Sequence, residues 1–246
     1  MMKRLSNIAM AVRGAMDFFI HPAWAKGFGG PFNGQAGRQR IFAELVSLFD
    51  FSMIIETGTY RGTTTEFMAE QSRIPVYSAE LDPRPFAFAF MRLIGWRDVH
   101  LFRMDSRALI ESLGKREDLR GAIPFVYLDA HWNDDFPLGK EINLILRSWP
   151  ASVVMIDDFQ VPGDEGYGFD SYGASATLCI TYLEEHAEFR LMPFFPNLPS
   201  EDENGSRRGC VVLVAEEESA AVLRRSTKLR EEPSIDNGRT RLERIR

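Results

Sequence analysis

The chain has 246 residues, 45% hydrophobic and 26% charged, with 29 Lys and Arg against 35 Asp and Glu and a formal net charge of -6. That length buries a full core for one α/β domain with additions, and the acidic balance excludes a general nucleic-acid binder. Cys179 and Cys210 lie far apart without metal spacing and read as reduced thiols of a cytoplasmic protein, and no apolar run is long enough to span a membrane.

Residues 1–40 read as an N-terminal helix followed by a glycine-rich segment. Lys3 and Arg4 precede apolar residues as in a leader, but Arg13 and Asp17 interrupt the run and no small-residue cleavage site follows. Leu5, Ile8, Val12, Ala15 and Phe19 share one helical face. That spacing predicts an amphipathic helix packed on the domain or on a second subunit, which leaves a homodimer open, rather than a membrane contact. The glycine-rich run over residues 27–37 is either a linker or a lid, with Asn33, Gln35 or Arg38 reaching inward. Residues 40–49 then read as a helix.

The central stretch runs Met53-Ile54-Ile55-Glu56-Thr57-Gly58-Thr59-Tyr60-Arg61-Gly62-Thr63-Thr64-Thr65. An apolar run closes on a carboxylate, two glycines stand four apart, and three threonines lead into a helical segment. This is a buried strand, a tight turn and a helix start. Glycine allows the chain to bend sharply beside a ligand, and the threonines can cap the first free amides. A dinucleotide loop would place a glycine where Tyr60 stands, and Glu56 would repel a pyrophosphate.

Four more strand-like runs follow, over residues 76–79, 99–104, 125–128 and 153–156, separated by helical segments over 85–94, 106–113 and 138–149. Alternation of this kind implies a mostly parallel sheet with right-handed crossovers and helices on both faces. All five strands end on acidic residues: Glu56, Glu80, Asp105, Asp129 and the pair Asp157-Asp158. Such a rim is costly unless cations or hydrogen-bond donors meet it. Farther on, residues 174–186 read as a helix, and 189–193 and 210–214 as strands. The aromatic and proline-rich run 194–199 between them reads as a hairpin loop or a substrate wall. From Val222 the chain is basic and poor in apolar residues, which predicts a frayed end. The expected organisation is 1–40 for the helix and lid, 41–216 for the main domain and 217–246 for a charged tail.

The turn, with its E-x-G-x-x-x-G pattern, resembles motif I of the class I S-adenosylmethionine-dependent methyltransferases. That resemblance implies a Rossmann-like fold with a seven-stranded sheet and an antiparallel edge strand. It implies cofactor contacts from Glu56, Gly58, Tyr60, Gly62 and Thr63. Glu80, which closes the second strand, would accept the ribose hydroxyls. Asp105 and Ser106 would meet the adenine, although Ser106 could equally be a helix cap, and Asp129 would close the cofactor site.

Asp129-Ala130-His131-Trp132 and Asp157-Asp158-Phe159 are similar to the metal site of catechol-type and macrocin-type O-methyltransferases. The resemblance implies Mg²⁺ on Asp129, Asp157 and Asp158, and a hydroxylated small molecule or sugar as methyl acceptor. The lysine base of the catechol enzyme is replaced by Trp132, which leaves His131 or Asp158 as the candidate proton acceptor. A catalytically silent binding module and a nucleotide-dependent oxidoreductase are the competing readings. No 2-His-1-carboxylate iron set is evident among His21, His100, His131 and His186.

Overall fold

The computed structural model describes residues 2–130, 136–172 and 177–235. Eight strands form one sheet in the order β3-β2-β1-β4-β5-β7-β6-β8. β1 (Met53–Thr57), β2 (Val76–Ala79), β3 (Val99–Phe102), β4 (Pro124–Leu128) and β5 (Val153–Asp157) run parallel. β7 (Cys210–Val214) is antiparallel to its neighbours β5 and β6 (Met192–Pro196). The expected sheet had seven strands. The eighth, β8 (Leu229–Glu231), pairs antiparallel with β6 and forms the edge.

That edge corrects the expectation of a frayed end from Val222. α8 (Glu217–Leu223) and β8 are packed, and Leu223, Leu229 and Ile235 are buried. A few well-spaced apolar residues suffice to dock a basic segment whose arginines remain outside. Two further boundaries move. Residues 194–196 belong to β6, with Phe194 and Phe195 in the core, so the loop is confined to residues 197–199, and the two phenylalanines form no substrate wall. The helix expected over 174–186 begins, within the described residues, at α7 (Ile180–His186), because Thr177 bridges to Ser171 and Leu178 N–H donates to the Asp170 carbonyl.

Strand alternation sorts the core into two layers. Met53 and Ile55 of β1, Val126 and Leu128 of β4, and Val154 and Ile156 of β5 face α5 (Ser106–Gly114) and α6 (Leu138–Ser148). Ile54, Phe125, Tyr127, Val153 and Met155 face the other way, onto Ile41, Phe42 and Leu45 of α2 (Ala36–Leu48) and Met68 of α3 (Thr63–Ser72). Period two therefore carries Glu56 and Asp157 to the α2 and α3 side.

The N-terminal helix α1 (Met2–Ile20) packs on α4 (Pro83–Leu93), but not through the expected face. Gly14 lies against the Arg84 carbonyl, where a Cβ would come within 2.0 Å. Asp17 pairs with Arg84 at 2.7 Å, and Phe18 meets Phe88 edge-on. Leu5, Ile8, Val12 and Phe19 point outward. Position 14 decides this, since its lack of a side chain lets the two helix backbones approach closely.

Candidate functional site

A cavity of about 860 Å³ opens at the carboxyl ends of the parallel strands, lined by residues that follow β1, β2, β3, β4 and β5. That is where open α/β sheets place their ligands, and the size suits a nucleoside with a second small reactant. Gly27, Phe28, Gly30 and Asn33 of the glycine-rich segment lie on its wall as a roof, while Gln35 and Arg38, also expected to reach inward, do not line it. The roof is strained: Phe28, Phe32 and Asn33 have φ near +50° to +58°. Burial of Phe32 among Phe42, Phe67 and Tyr127 holds it in place.

The turn after β1 is built on backbone contacts. Gly58 and Thr59 N–H groups donate to the Ala79 carbonyl at 3.0 and 3.1 Å. Gly58 has φ +86° and backs onto Asp129, whose carbonyl would lie 2.4 Å from an added Cβ. Gly62, at φ +75°, starts α3 against Leu93 and does not line the cavity. The threonines do not cap α3 as expected. Thr63 donates to the Ala25 carbonyl at 3.0 Å, Thr64 accepts from Phe32 N–H at 3.1 Å, and Thr65 donates to Glu56 at 2.5 Å. They tie the roof and the floor to the helix instead.

Glu56 differs most from its expected place. Its carboxylate is buried on the α3 side, bonded by Thr65 and Ser78 at 2.5 Å each, and does not reach the cavity. Burial raises its pKa to about 7, against the pull of those hydroxyls. Glu80 does line the cavity. Its two oxygens accept from Tyr60 N–H and Asp82 N–H at 2.8 Å each, so it clamps the glycine turn. Burial pushes its pKa upward too. Asp105 caps α5 through Arg107 N–H at 2.9 Å and pairs with the Arg107 side chain, while it and Ser106 also line the cavity. Tyr60, Thr63 and Asp129 are likewise on the wall.

The expected Mg²⁺ set does not assemble. Asp157 is fully buried and faces α2, where Arg38, itself buried, forms an ion pair with it. Tyr127 Oη at 2.5 Å, Asn33 Nδ2 at 3.2 Å and Asp158 N–H at 2.7 Å complete its partners. Asp158 points into the cavity from a backbone at φ +53°, and Arg208 Nε holds it at 2.7 Å while also pairing with Asp170. Among the described residues, no group of three His, Cys, Asp or Glu is placed to hold a metal ion. His131 lies outside the described residues.

Arg208 and Asp170 were not foreseen. The folded register supplies the link: Cys210 pairs opposite Asp157 in the antiparallel ladder, which brings the arginines before it alongside Asp158. Arg61, stacked over Trp24 at 4.5 Å and Tyr60 at 4.8 Å, was also missed. Its signal is its position in the turn.

No family model and no curated protein matches the chain. Solved structures do resemble it. A candidate O-methyltransferase from Klebsiella pneumoniae is 18% identical with a TM-score of 0.52, over 74% of this chain and 80% of that one. Cofactor-bound Rv0187 from MTB is 14% identical with a TM-score of 0.53, over 83% and 89%. A candidate caffeoyl-CoA O-methyltransferase from Staphylococcus aureus is 14% identical with a TM-score of 0.52, over 73% and 83%. The chain has the class I methyltransferase fold. Within the methyltransferase fold found here, β8 is added outside β6, and α1 and the roof precede β1. Among the described residues no helix is long and apolar enough to cross a membrane.

Proposed function

We propose that the chain is an S-adenosylmethionine-dependent methyltransferase that transfers a methyl group to a hydroxyl of a small molecule or sugar. The observation that carries this reading is Glu80, a carboxylate on the cavity wall at the end of β2, fixed by the N–H of Tyr60 in the glycine turn. Each Glu80 oxygen accepts one backbone bond and keeps a lone pair for a ribose hydroxyl. Asp105 and Ser106 lie beside it for the adenine, and Gly58, Tyr60 and Thr63 line the way toward Asp129. When bound, the donor supplies an electrophilic methyl on a sulfonium. The chain's part is to hold the two reactants in line and keep water out under the roof, which is where most of the acceleration would originate.

Mg²⁺ was expected at Asp129, Asp157 and Asp158, but Asp157 and Asp158 already carry arginine partners. As a base, Asp158 would have to loosen its bond to Arg208.

Calorimetry with S-adenosylhomocysteine tests the reading: binding is expected in the wild type and weakened in Glu80→Ala. Unaltered binding in that variant removes the Glu80 assignment. Absence of any nucleoside binding favours the silent module, and tight NAD binding favours the oxidoreductase.

The assembly we propose is a homodimer through α1. Leu5, Ile8, Val12, Met16, Phe19 and Ile20 are each more than half exposed, and Phe90 of α4 and Ile94 just past its end add to the apolar surface. Burying one such side chain removes on the order of 100 Å². Together with polar surroundings they approach the ~800 Å² per partner of a stable interface. Light scattering should give a dimer that Val12→Glu converts to monomer, and a monomeric wild type at high concentration refutes it.

A further inference from the structure

Two arginines sit where the sheet's carboxylates converge. Arg38, in the first turn of α2, is 1% exposed. It pairs with Asp157, and its Nη2 donates to the carbonyls of Arg208 and Gly209. The same guanidinium lies within electrostatic reach of Asp129 and Asp158. Arg208 bridges Asp158 and Asp170 on the cavity wall.

A carboxylate offers about four lone-pair positions. Asp157 spends its own on Arg38, Tyr127, Asn33 and the Asp158 amide. A magnesium ion requires carboxylate oxygens at about 2.0–2.1 Å in a nearly octahedral set. To gain Asp157 as a ligand, it would have to displace Arg38 from a fully buried position. That would leave a guanidinium without its counter-charge in the protein interior, which is strongly unfavourable.

We infer that Arg38 and Arg208 take the place of a divalent ion, so that this end of the cavity is organised by guanidinium charge and needs no metal. The inference rests on the methyltransferase reading only for calling this the acceptor end. For the acceptor this means that its hydroxyl meets a guanidinium-paired carboxylate and Asp129 on the cavity wall and is oriented by hydrogen bonds with these side chains.

The test is direct metal binding to the full chain loaded with S-adenosylhomocysteine. Mn²⁺ titrated into the complex is followed by the paramagnetic resonance of the free ion. The expected result is no loss of signal beyond a protein blank, or a loss that Asp158→Asn leaves unchanged. Uptake of one equivalent that Asp158→Asn abolishes would overturn the proposal. In parallel, thermal unfolding is recorded with Mg²⁺ and with NaCl of equal ionic strength. Equal shifts are expected, and an Mg²⁺-specific rise lost in Asp158→Asn counts against it. Calorimetry of S-adenosylhomocysteine on the same sample separates this outcome from failure of the cofactor reading.

Discussion

The two ends of the cavity are built on different principles. At the nucleoside end every carboxylate is held by backbone N–H groups: Glu80 accepts from Tyr60 and Asp82, and Asp105 caps α5 through Arg107 N–H while also pairing with that residue's side chain. At the acceptor end, carboxylates meet arginines: Arg38 with Asp157, and Arg208 with Asp158 and Asp170. Backbone donors are fixed by the fold itself and cannot be removed by substitution. Side-chain cations can be, so the acceptor end is where single substitutions should do the most damage.

The largest effect is therefore expected at Arg38. In Arg38→Ala, Asp157 becomes a buried charge without its counter-charge, at a cost of about 3–5 kcal/mol. Urea unfolding should show it as a lower midpoint at unchanged slope. Replacing Arg208, whose side chain is 26% exposed, should cost far less, and an equal cost would erase the distinction between the two pairs.

Next in size is a pH effect beneath the nucleoside end. Glu56 and Glu141 are fully buried, and burial lifts each from 4.5 to about 7. Among the described residues neither Glu141 oxygen has a hydrogen-bond partner, although the Ser106 and Thr57 hydroxyls approach it. Both acids keep protons in the folded chain that the unfolded chain releases between those two values. Stability therefore falls as pH rises from 4.5 to about 7 and levels off above it. Glu141→Gln should flatten that fall by on the order of 2 kcal/mol between about pH 5 and about pH 8. A difference between variant and wild type that does not change with pH would show that Glu141 ionises freely.

The parallel part of the sheet and the acidic rim were legible because apolar runs of strand length ended in carboxylates at regular intervals. The direction of two carboxylates is legible as well: counting by twos from the buried residues of β1 and β5 sends Glu56 and Asp157 to the α2 and α3 side, whereas Glu80, Asp129 and Asp158 reach the cavity from positions just past their strands, where the alternation no longer holds. What the linear pattern concealed was the counter-charge. Arg38 lies 119 positions from Asp157, and Arg208 lies 50 from Asp158, so only the folded register brings them together. The face by which α1 packs on the domain was concealed for a related reason. The apolar periodicity of the helix marked the outward stripe, while the packed face is made by Gly14, Asp17 and Phe18, which no hydropathy count selects.

At the nucleoside end the effects are smaller and fall on binding. Losing the charged acceptor of Glu80 removes about 1.5–3 kcal/mol, or roughly 10- to 100-fold in S-adenosylhomocysteine affinity. The smallest effect is expected at Asp105, and it separates two roles. Asp105→Ala removes the cap of α5 and should cost about 1 kcal/mol of stability. Asp105→Asn keeps a capping oxygen, since asparagine caps as well as aspartate, but loses the charge that Arg107 and an adenine amino group would meet. Stability close to wild type with a few-fold weaker S-adenosylhomocysteine affinity would assign the carboxylate to the cofactor. Stability and affinity both unchanged in Asp105→Asn, with loss only in Asp105→Ala, would leave Asp105 a helix cap and shift adenine recognition onto Ser106 and the neighbouring wall.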